Sequence, residues 1–498
     1  MIRVPAGTKM TPELLGELIT KHKTEVTNRY QKLKDAYENH YEIYGLRPKP
    51  SWKPDNRISA NFAKYIVDTM NGFFAGIPVK VSHEKEEVDN YLEFLDSYND
   101  QDDNNAELSK MCSIYGSAYE MYYTDAKSNV AIAYVSPIEA FMVYDDSVLE
   151  NPMFFIRYYT DSKNVEQGSY SDEKIVRHFR LSDGYQWTDK GRKHYFEGVP
   201  AVEYIENDER MGIFESALPM INAYNKAISE KANDVDYFAD AYLKVLGTYL
   251  DDDDIKHIRD DRIINFDGDT DRVVVEFLQK PNGDTTQENL INRLEKLIFN
   301  ISMVANISDE NFGTSSGIAL KYKLQSMNNL AMTKERKFRS GMNKRYSLIF
   351  SNPVSQTQGI KADDWIGIKM RFTRNFPANI TEEVENAKNL SGIVSQETQL
   401  SVLSIVDNVS EEVEKLDEEQ AKAVDGFVKR GGRLLVTGAL PTKDGEGREC
   451  GTRLKCLPFT VEEKKPVDGY VLLQKRELYP SLPDTGLVGI IYDWSVIR

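Results

Sequence analysis

The chain is 498 residues long, 41% apolar, 28% charged and 11% aromatic, enough to bury the interiors of two or three modules and incompatible with a disordered polymer. Its 62 Lys plus Arg against 79 Asp plus Glu give a net charge of −17, which excludes a cation-rich coat for non-specific nucleic-acid binding. Three cysteines, an opening without an apolar h-region and no run near the roughly 18–20 apolar residues of a bilayer span predict a soluble, intracellular chain with no membrane partner and no disulfide framework.

Thr11-Pro12 opens a helix, with a hydroxyl N-cap and a proline whose missing N–H costs nothing at N1. Apolar residues recur at three- and four-residue steps from Leu15 to Tyr41 and predict one long amphipathic helix, ending before the turn-rich stretch Gly45–Pro54. A second helix is expected over Ile58–Phe74, stopped by Gly76-Ile77-Pro78. Between Ser113 and Tyr204 the pattern shifts to short β-branched or aromatic runs. Ala118–Tyr123, Val130–Val135, Phe154–Tyr159 and Lys174–Arg180, separated by Asp, Ser, Asn and Gly, predict antiparallel strands.

Helical spacing returns over Glu215–Leu246, with Leu218, Ile221, Tyr224, Ile228, Ala232 and Val235 on one stripe. An insert with the acid run Asp251–Asp254 and strand-like Arg262–Phe266 and Arg272–Leu278 interrupts it. Helix resumes over Gln287–Ala305, with Leu290, Leu294, Leu297, Ile301 and Val304 in phase. A polar loop, Ile307–Gly317, then leads into a helix of about 35 residues, Ser316–Phe350, some 45–50 Å long. The fold class is α+β, and such rods suit a structure that reaches across a distance. Residues 421–498 carry 13 basic and 10 acidic residues, leaving 49 and 69 in the first 420, and this shift marks a separate C-terminal module.

Motifs of catalysis are absent or fail their context. Gly313-Thr314-Ser315-Ser316-Gly317 fits G-x-S-x-G, but a helix precedes it and no histidine follows it. There is no P-loop, no H-E-x-x-H and no paired C-x-x-C. Cys450 and Cys456 have no nearby histidine, so no zinc is expected. Asp102-Asp103, Asp145-Asp146 and Asp251–Asp254 read as solvated, turn-forming acids. No catalytic residue, metal or cofactor is expected. The densest cationic stretch (Lys321, Lys323, Lys334, Arg336, Lys337, Arg339, Lys344, Arg345) reads first as a solvated helix face paired to acids of neighbouring helices, and second as an occasional phosphate contact.

Several pieces, in order, resemble the portal proteins of tailed phages, in particular those of long-tailed phages of Gram-positive hosts. They are Asn56–Asp68 with Gly76-Ile77-Pro78-Val79, Ile114–Glu120 followed by Val135-Ser136-Pro137, Phe214–Leu218 with Asn225, Lys226 and Asn233-Asp234, Ser316–Lys321, and Phe372–Pro377. The likeness spans about residues 11–416. It implies a portal-type fold with long stem and wing helices, a small α/β clip insert and an antiparallel, β-rich wing. In these terms residues 1–214 are the wing, 215–246 the first stem helix, 247–284 the clip, 285–306 the second stem helix, 307–317 the channel loop, and 318–416 the long helix, wing return and start of a crown.

The resemblance also implies a ring of about twelve subunits at one capsid vertex, closed by heterologous contacts, through which double-stranded DNA passes during packaging and ejection. Implied partners are the terminase, the head-completion adaptor, and capsid and scaffolding proteins. The implied location is the virion, with the host cytoplasm during assembly. Asp309, Glu310, Asn311, Thr314, Ser315 and Lys321 are the expected channel-lining residues, and Asp251, Asp252, Asp253, Asp254, Asp267 and Asp269 the expected partner-docking residues of the clip. The tail, 417–498, is read as an α/β fragment: a helix, Gly431-Gly432, then a strand over Arg433–Gly438. It resembles a piece of the glutamine-amidotransferase-like domain of β-galactosidases. An artificial join, an accessory module and a crown variant all stay open, and a carbohydrate-active enzyme fragment is the alternative function.

Overall fold

The computed structural model describes residues 1–51, 53–239, 243–246, 274–277, 284–307, 322, 324–375, 380–403, 405–406 and 409–430, with four short strands beyond. The chain divides into two compact units, Met1–Phe376 and Pro377–Arg498.

The first unit opens with β1 (Ile2–Val4) and α1 (Pro12–Glu25), where Thr11 Oγ1 accepts the Leu14 N–H at 3.2 Å. One π turn, Val26–Tyr30, separates α1 from α2 (Gln31–Tyr37), so the helix expected to reach Tyr41 is interrupted once and stops at Tyr37. Helix α3 (Phe62–Ala75) starts at Phe62 and not Ile58, because Asn61 caps it and residues 54–61 are engaged elsewhere. A short strand, β2 (Lys80–Ser82), leads to α4 (Glu86–Asn99) and α5 (Gln101–Tyr115), which meet at Asp100 with φ +50°.

The β-rich body follows. Strands β3 (Ser117–Thr124), β4 (Val130–Val135), β5 (Ala140–Asp145), β6 (Pro152–Thr160), β7 (Glu166–Ser171), β8 (Ile175–Ser182), β9 (Gly184–Trp187), β10 (Arg192–Lys193) and β11 (Ala201–Ile205) form two sheets. One has the order β11-β3-β4. The other has the order β1-β5-β6-β7-β8-β10, with β9 also on β8, and all but the parallel β1–β5 pair are antiparallel. The four strands expected from the sequence are present; β5, β7 and β9–β11 were not expected. Asp125, Asp145, Asp161 and Asp172 each accept backbone N–H groups two to six residues downstream, which builds the tight turns. Asp145 is thus a turn builder but, at 5% exposure, not the solvated acid expected, and Asp102 and Asp103 lie in the first turn of α5.

Beyond the body come a 3₁₀ turn (Glu215–Ala217), α6 (Leu218–Ala239), β12 (Leu243–Leu246), β13 (Val274–Phe277), α7 (Asp284–Ser302), α8 (Gln325–Ser351), α9 (Pro353–Thr357) and β14 (Lys369–Arg371), which pairs with β2. The helix expected over Glu215–Leu246 ends earlier. Leu243–Leu246 is a strand, antiparallel to Val274–Phe277, its partner across the insert. The long helix is described from Gln325.

Two apolar cores hold this unit. One packs α2–α5 and α8 around the inner face of β3 and β4, with Met70, Leu108, Tyr204, Met342 and Phe350 fully buried. The other lies between α1 and the larger sheet, with Leu15, Ile19, Val143 and Ile156 at 0% exposure. His22, on α1, stacks on Phe141 and its Nδ1 lies 2.9 Å from the Tyr158 hydroxyl. Burial pulls its pKa down to about 4, against the Pro137 carbonyl, so the ring is neutral at pH 7.

The second unit contains α10 (Ile380–Leu390), α11 (Gln396–Leu400) and α12 (Val409–Lys429), then two strand pairs, Val461–Glu462 with Val496–Ile497 and Gly469–Val471 with Gly489–Ile491. The boundary expected at 416/417 falls inside α12, which is one continuous helix. The strand expected over Arg433–Gly438 lies outside the described residues.

Candidate functional site

The site is built around α6 and α7. Residues 56–60 run along α6 and their backbone N–H groups are taken by its side chains. Asn56 N–H donates to Asn233 Oδ1 at 2.6 Å, Ile58 N–H to Ser229 Oγ at 2.9 Å and Ala60 N–H to Asn225 Oδ1 at 2.9 Å. The register works because four helical residues rise about 6 Å and two outstretched residues about 6.6 Å. Asn225, Ser229 and Asn233 are buried at 0%, 2% and 6% exposure, and the backbone N–H groups of residues 56, 58 and 60 satisfy their side-chain oxygens, while Asn225 Nδ2 has no partner among the described residues. Two pieces of the sequence quoted separately, Asn56–Asn61 and Asn225–Asp234, are therefore one structural ladder. Polar residues at i, i+4 and i+8 inside an apolar helix were the available signal.

Helix α7 returns against α6. Ile291, Ile298 and Ser302 are buried, and Phe299 meets Phe62 and Tyr65 edge-on at 5.6 and 5.7 Å. Gln287 Nε2 donates to Asp234 Oδ2 at 2.9 Å, and Lys231 pairs with Glu288. Of the apolar stripe along this helix Val304 is buried, while Leu290, Leu297 and Ile301 are 51%, 36% and 43% exposed. These three lie within about 40° of one another on a helical wheel, so a lone chain leaves an apolar edge open to water.

The base of α6 is tied to the β body through Arg29. Its Nε donates to Glu215 Oε1 at 2.7 Å and its Nη2 to Glu215 Oε2 at 2.8 Å, and Nη2 also reaches the carbonyls of Tyr115 and Arg210. The Glu215 hydrogen bonds hold the Arg29 pKa above its ordinary value despite burial. Gly116, next in chain, has φ +85°, and a Cβ there would sit 1.9 Å from the Arg210 carbonyl oxygen. Only glycine allows this crossing.

Helix α8 carries the cationic stretch, and the structure corrects its reading. Lys334 and Arg345 are neither solvated nor available to phosphate: they are 1% and 0% exposed. Lys334 Nζ donates to Glu206 Oε2 at 2.6 Å, Ser113 Oγ at 2.7 Å and the Ser109 carbonyl at 2.9 Å. Arg345 grips Glu120 with Nε and Nη2, both at 2.8 Å, and Asn105 Oδ1 at 2.7 Å. Tyr122 and Tyr204 hydroxyls and Gln101 Nε2 also donate to Glu120. Burial opposes the charge, yet the Glu120 carboxylate holds Arg345 well above its ordinary pKa. Lys337 pairs with Asp208, and Arg339 with Glu335. The partner acids Glu120, Glu206 and Asp208 come from the β body, not from neighbouring helices. Arg336 and Lys344 are exposed, and Lys321 and Lys323 lie outside the described residues.

Asp309, Glu310, Asn311, Thr314, Ser315 and Lys321 also lie outside the described residues, as do Asp251, Asp252, Asp253, Asp254, Asp267, Asp269, Cys450 and Cys456. Among the described residues no group of three His, Cys, Asp or Glu could hold a metal ion, and no helix is long and apolar enough to cross a membrane.

The unit is thus a β body joined to the helix pair α6 and α7 through Arg29, with a long helix pinned to it by buried ion pairs. The chain belongs to the SPP1 Gp6-like family of phage portal proteins, whose model matches residues 16–426. It is 23% identical over 424 residues to the portal protein of Clostridium phage phiCD119, covering 79% of this chain and 91% of that one. It is also 23% identical over 458 residues to the portal protein of Bacillus phage SPP1, covering 85% and 88%. A chain from the neck of an empty GTA particle computed with C6 symmetry is similar at a TM-score of 0.41 and 11% identity, covering 70% of this chain and 90% of that one. The family match runs past 416 into α12, so the start of the expected tail belongs to the matched stretch. The carbohydrate-active alternative gains no support from these relatives.

Proposed function

We propose that this portal protein works as one stave of a ring of about twelve subunits, set at a capsid vertex, through which double-stranded DNA enters and leaves. The observation that carries the ring is the open edge of Leu290, Leu297 and Ile301, which a neighbouring copy would cover. In this reading α6 and α7 are the stem, the insert between them is the clip that docks terminase and later the head-completion adaptor through Asp251–Asp254, Asp267 and Asp269, and residues 307–317 form the channel loop with Asp309, Glu310, Asn311, Thr314 and Ser315 toward the DNA and Lys321 at its edge. The wing meets capsid and scaffolding proteins. Assembly takes place in the host cytoplasm and the finished ring resides in the virion. The role is structural rather than enzymatic.

The acidic balance suits this work. DNA carries roughly one charge per 1.7 Å of axis, so a cation-lined bore would hold it where an acidic wall lets it slide. The test is removal of residues 309–315. Rings should still form while packaged DNA is lost; failure of the variant to form rings would contradict the assignment of these residues to the channel.

A further inference from the structure

The open ends of the two sheets and the start of α9 enclose a cleft of about 970 Å³, at the upper end of the roughly 300–1,000 Å³ of ligand pockets. Its lining includes Arg157, Arg192 and Lys193 and not a single Asp or Glu, in a chain with 79 acids and a net charge of −17. Among the described residues none of the three cations is ion-paired to a carboxylate at the cleft. Asp189, next to the lining residue Thr188, is taken by His178 Nδ1 at 2.6 Å.

The cleft is also aromatic. Tyr195, Tyr123 and Tyr159 are 66%, 45% and 38% exposed, and the Arg157 guanidinium lies 4.9 Å from the Tyr159 ring centroid. Tyr195 is costly twice: its ring stands in water and its backbone has φ +63°, a region that bulky residues avoid. The fold fixes it there. His194 on one side is buried, with Nε2 on the Asp172 carbonyl at 2.9 Å and Nδ1 accepting the Phe196 N–H at 3.2 Å, and Phe196 on the other side is buried too. Cations on a short edge strand are common protection against aggregation, which would account for Arg192 and Lys193. It does not account for Arg157, which comes from β6 inside the sheet, or for a strained, exposed tyrosine.

From these observations we infer that the cleft binds an acidic, partly apolar peptide segment of a protein partner, its carboxylates on Arg157, Arg192 and Lys193 and its apolar side chains against Tyr195 and the floor formed by Val176 and Val354. A nucleic acid fits less well. Three cations neutralise few phosphates, and the field of the whole chain repels a long polyanion, whereas a short peptide feels chiefly the local charge.

The full chain is titrated by fluorescence anisotropy with a labelled peptide of four Glu-Glu-Leu repeats, its Lys-Lys-Leu counterpart and a single-stranded oligothymidylate of the same length. The acidic peptide should bind, more weakly as salt rises, and the other two should not. Arg192→Glu with Lys193→Glu should weaken it roughly tenfold or more, the equivalent of about 1.4 kcal/mol, at an unchanged melting temperature. Tyr195→Gly suits the positive φ, so it should hold or raise the melting temperature while still weakening the peptide. No binding of the acidic peptide, equal binding of the basic one, tighter binding of the oligonucleotide, or variants that bind like the parent would each overturn the inference.

Discussion

Arg345 on α8 and Glu120 on β3 form an ion pair at 0% and 1% side-chain exposure, held by two 2.8 Å bonds. Replacing Arg345 by Met leaves Glu120 buried, with three neutral donors but no cation, and loss of one partner of such a pair costs about 3–5 kcal/mol. Unfolding entropy of about 2.1 cal/mol/K per residue gives the unit Met1–Phe376 roughly 0.8 kcal/mol/K, so the expected drop in melting temperature is about 4–6 °C. Glu120→Gln should cost a similar amount, because it strands the guanidinium. The double variant Glu120→Gln/Arg345→Met should recover much of the loss, since the expense lies in an unpaired buried charge rather than in the pair itself. Scanning calorimetry on the four proteins measures this directly. Simple additivity of the two single losses, or a drop below about 1 °C for either, would refute the reasoning.

Ser229→Ala removes the acceptor of the Ile58 N–H and should cost about 1–3 kcal/mol, with faster hydrogen exchange at Ile58 than at residues of α5. Gly116→Ala places a methyl against the Arg210 carbonyl at positive φ and should give largely unfolded, insoluble chain, read by circular dichroism and soluble yield. His22 has a folded pKa near 4 against an ordinary 6.5, so the unfolded state binds more protons between those values. Stability from this group is therefore complete above about pH 6.5 and falls away as pH drops toward 4, by roughly 3 kcal/mol in all. His22→Phe should flatten the unfolding profile in that window. Asp96 acts in the opposite sense: burial raises it to about 6, so its contribution is fully present below the ordinary carboxylate range and lost as pH rises through 6. Asp96→Asn should accordingly stabilise the chain more at pH 8 than at pH 4, by chemical denaturation.

The helices and four strands were legible because their apolar periods are strong and because Thr11 caps the first helix; the Asn61 cap was missed, which misplaced the start of the second at Ile58. Leu243–Leu246 was misread because four residues with helical neighbours carry too little period to reveal a partner some thirty residues away in Val274–Phe277. The stripe containing Leu290, Leu297 and Ile301 was legible as apolar, but its exposure was not, since periodicity reports a face without saying what covers it. Lys334 and Arg345 looked like surface cations because sequence does not show a carboxylate waiting in the β body. The ladder of Asn225, Ser229 and Asn233 required two segments more than 160 residues apart to be brought together.

The central claim is that the chain closes on copies of itself through its apolar edge. Native mass measurement of the purified chain across micromolar dilutions tests it most directly, run beside the variant Leu290→Gln/Leu297→Gln/Ile301→Gln. Closed rings of about twelve copies for the parent and smaller species for the variant are predicted. A stable monomer for the parent, or rings unaffected by the three changes, would contradict the account.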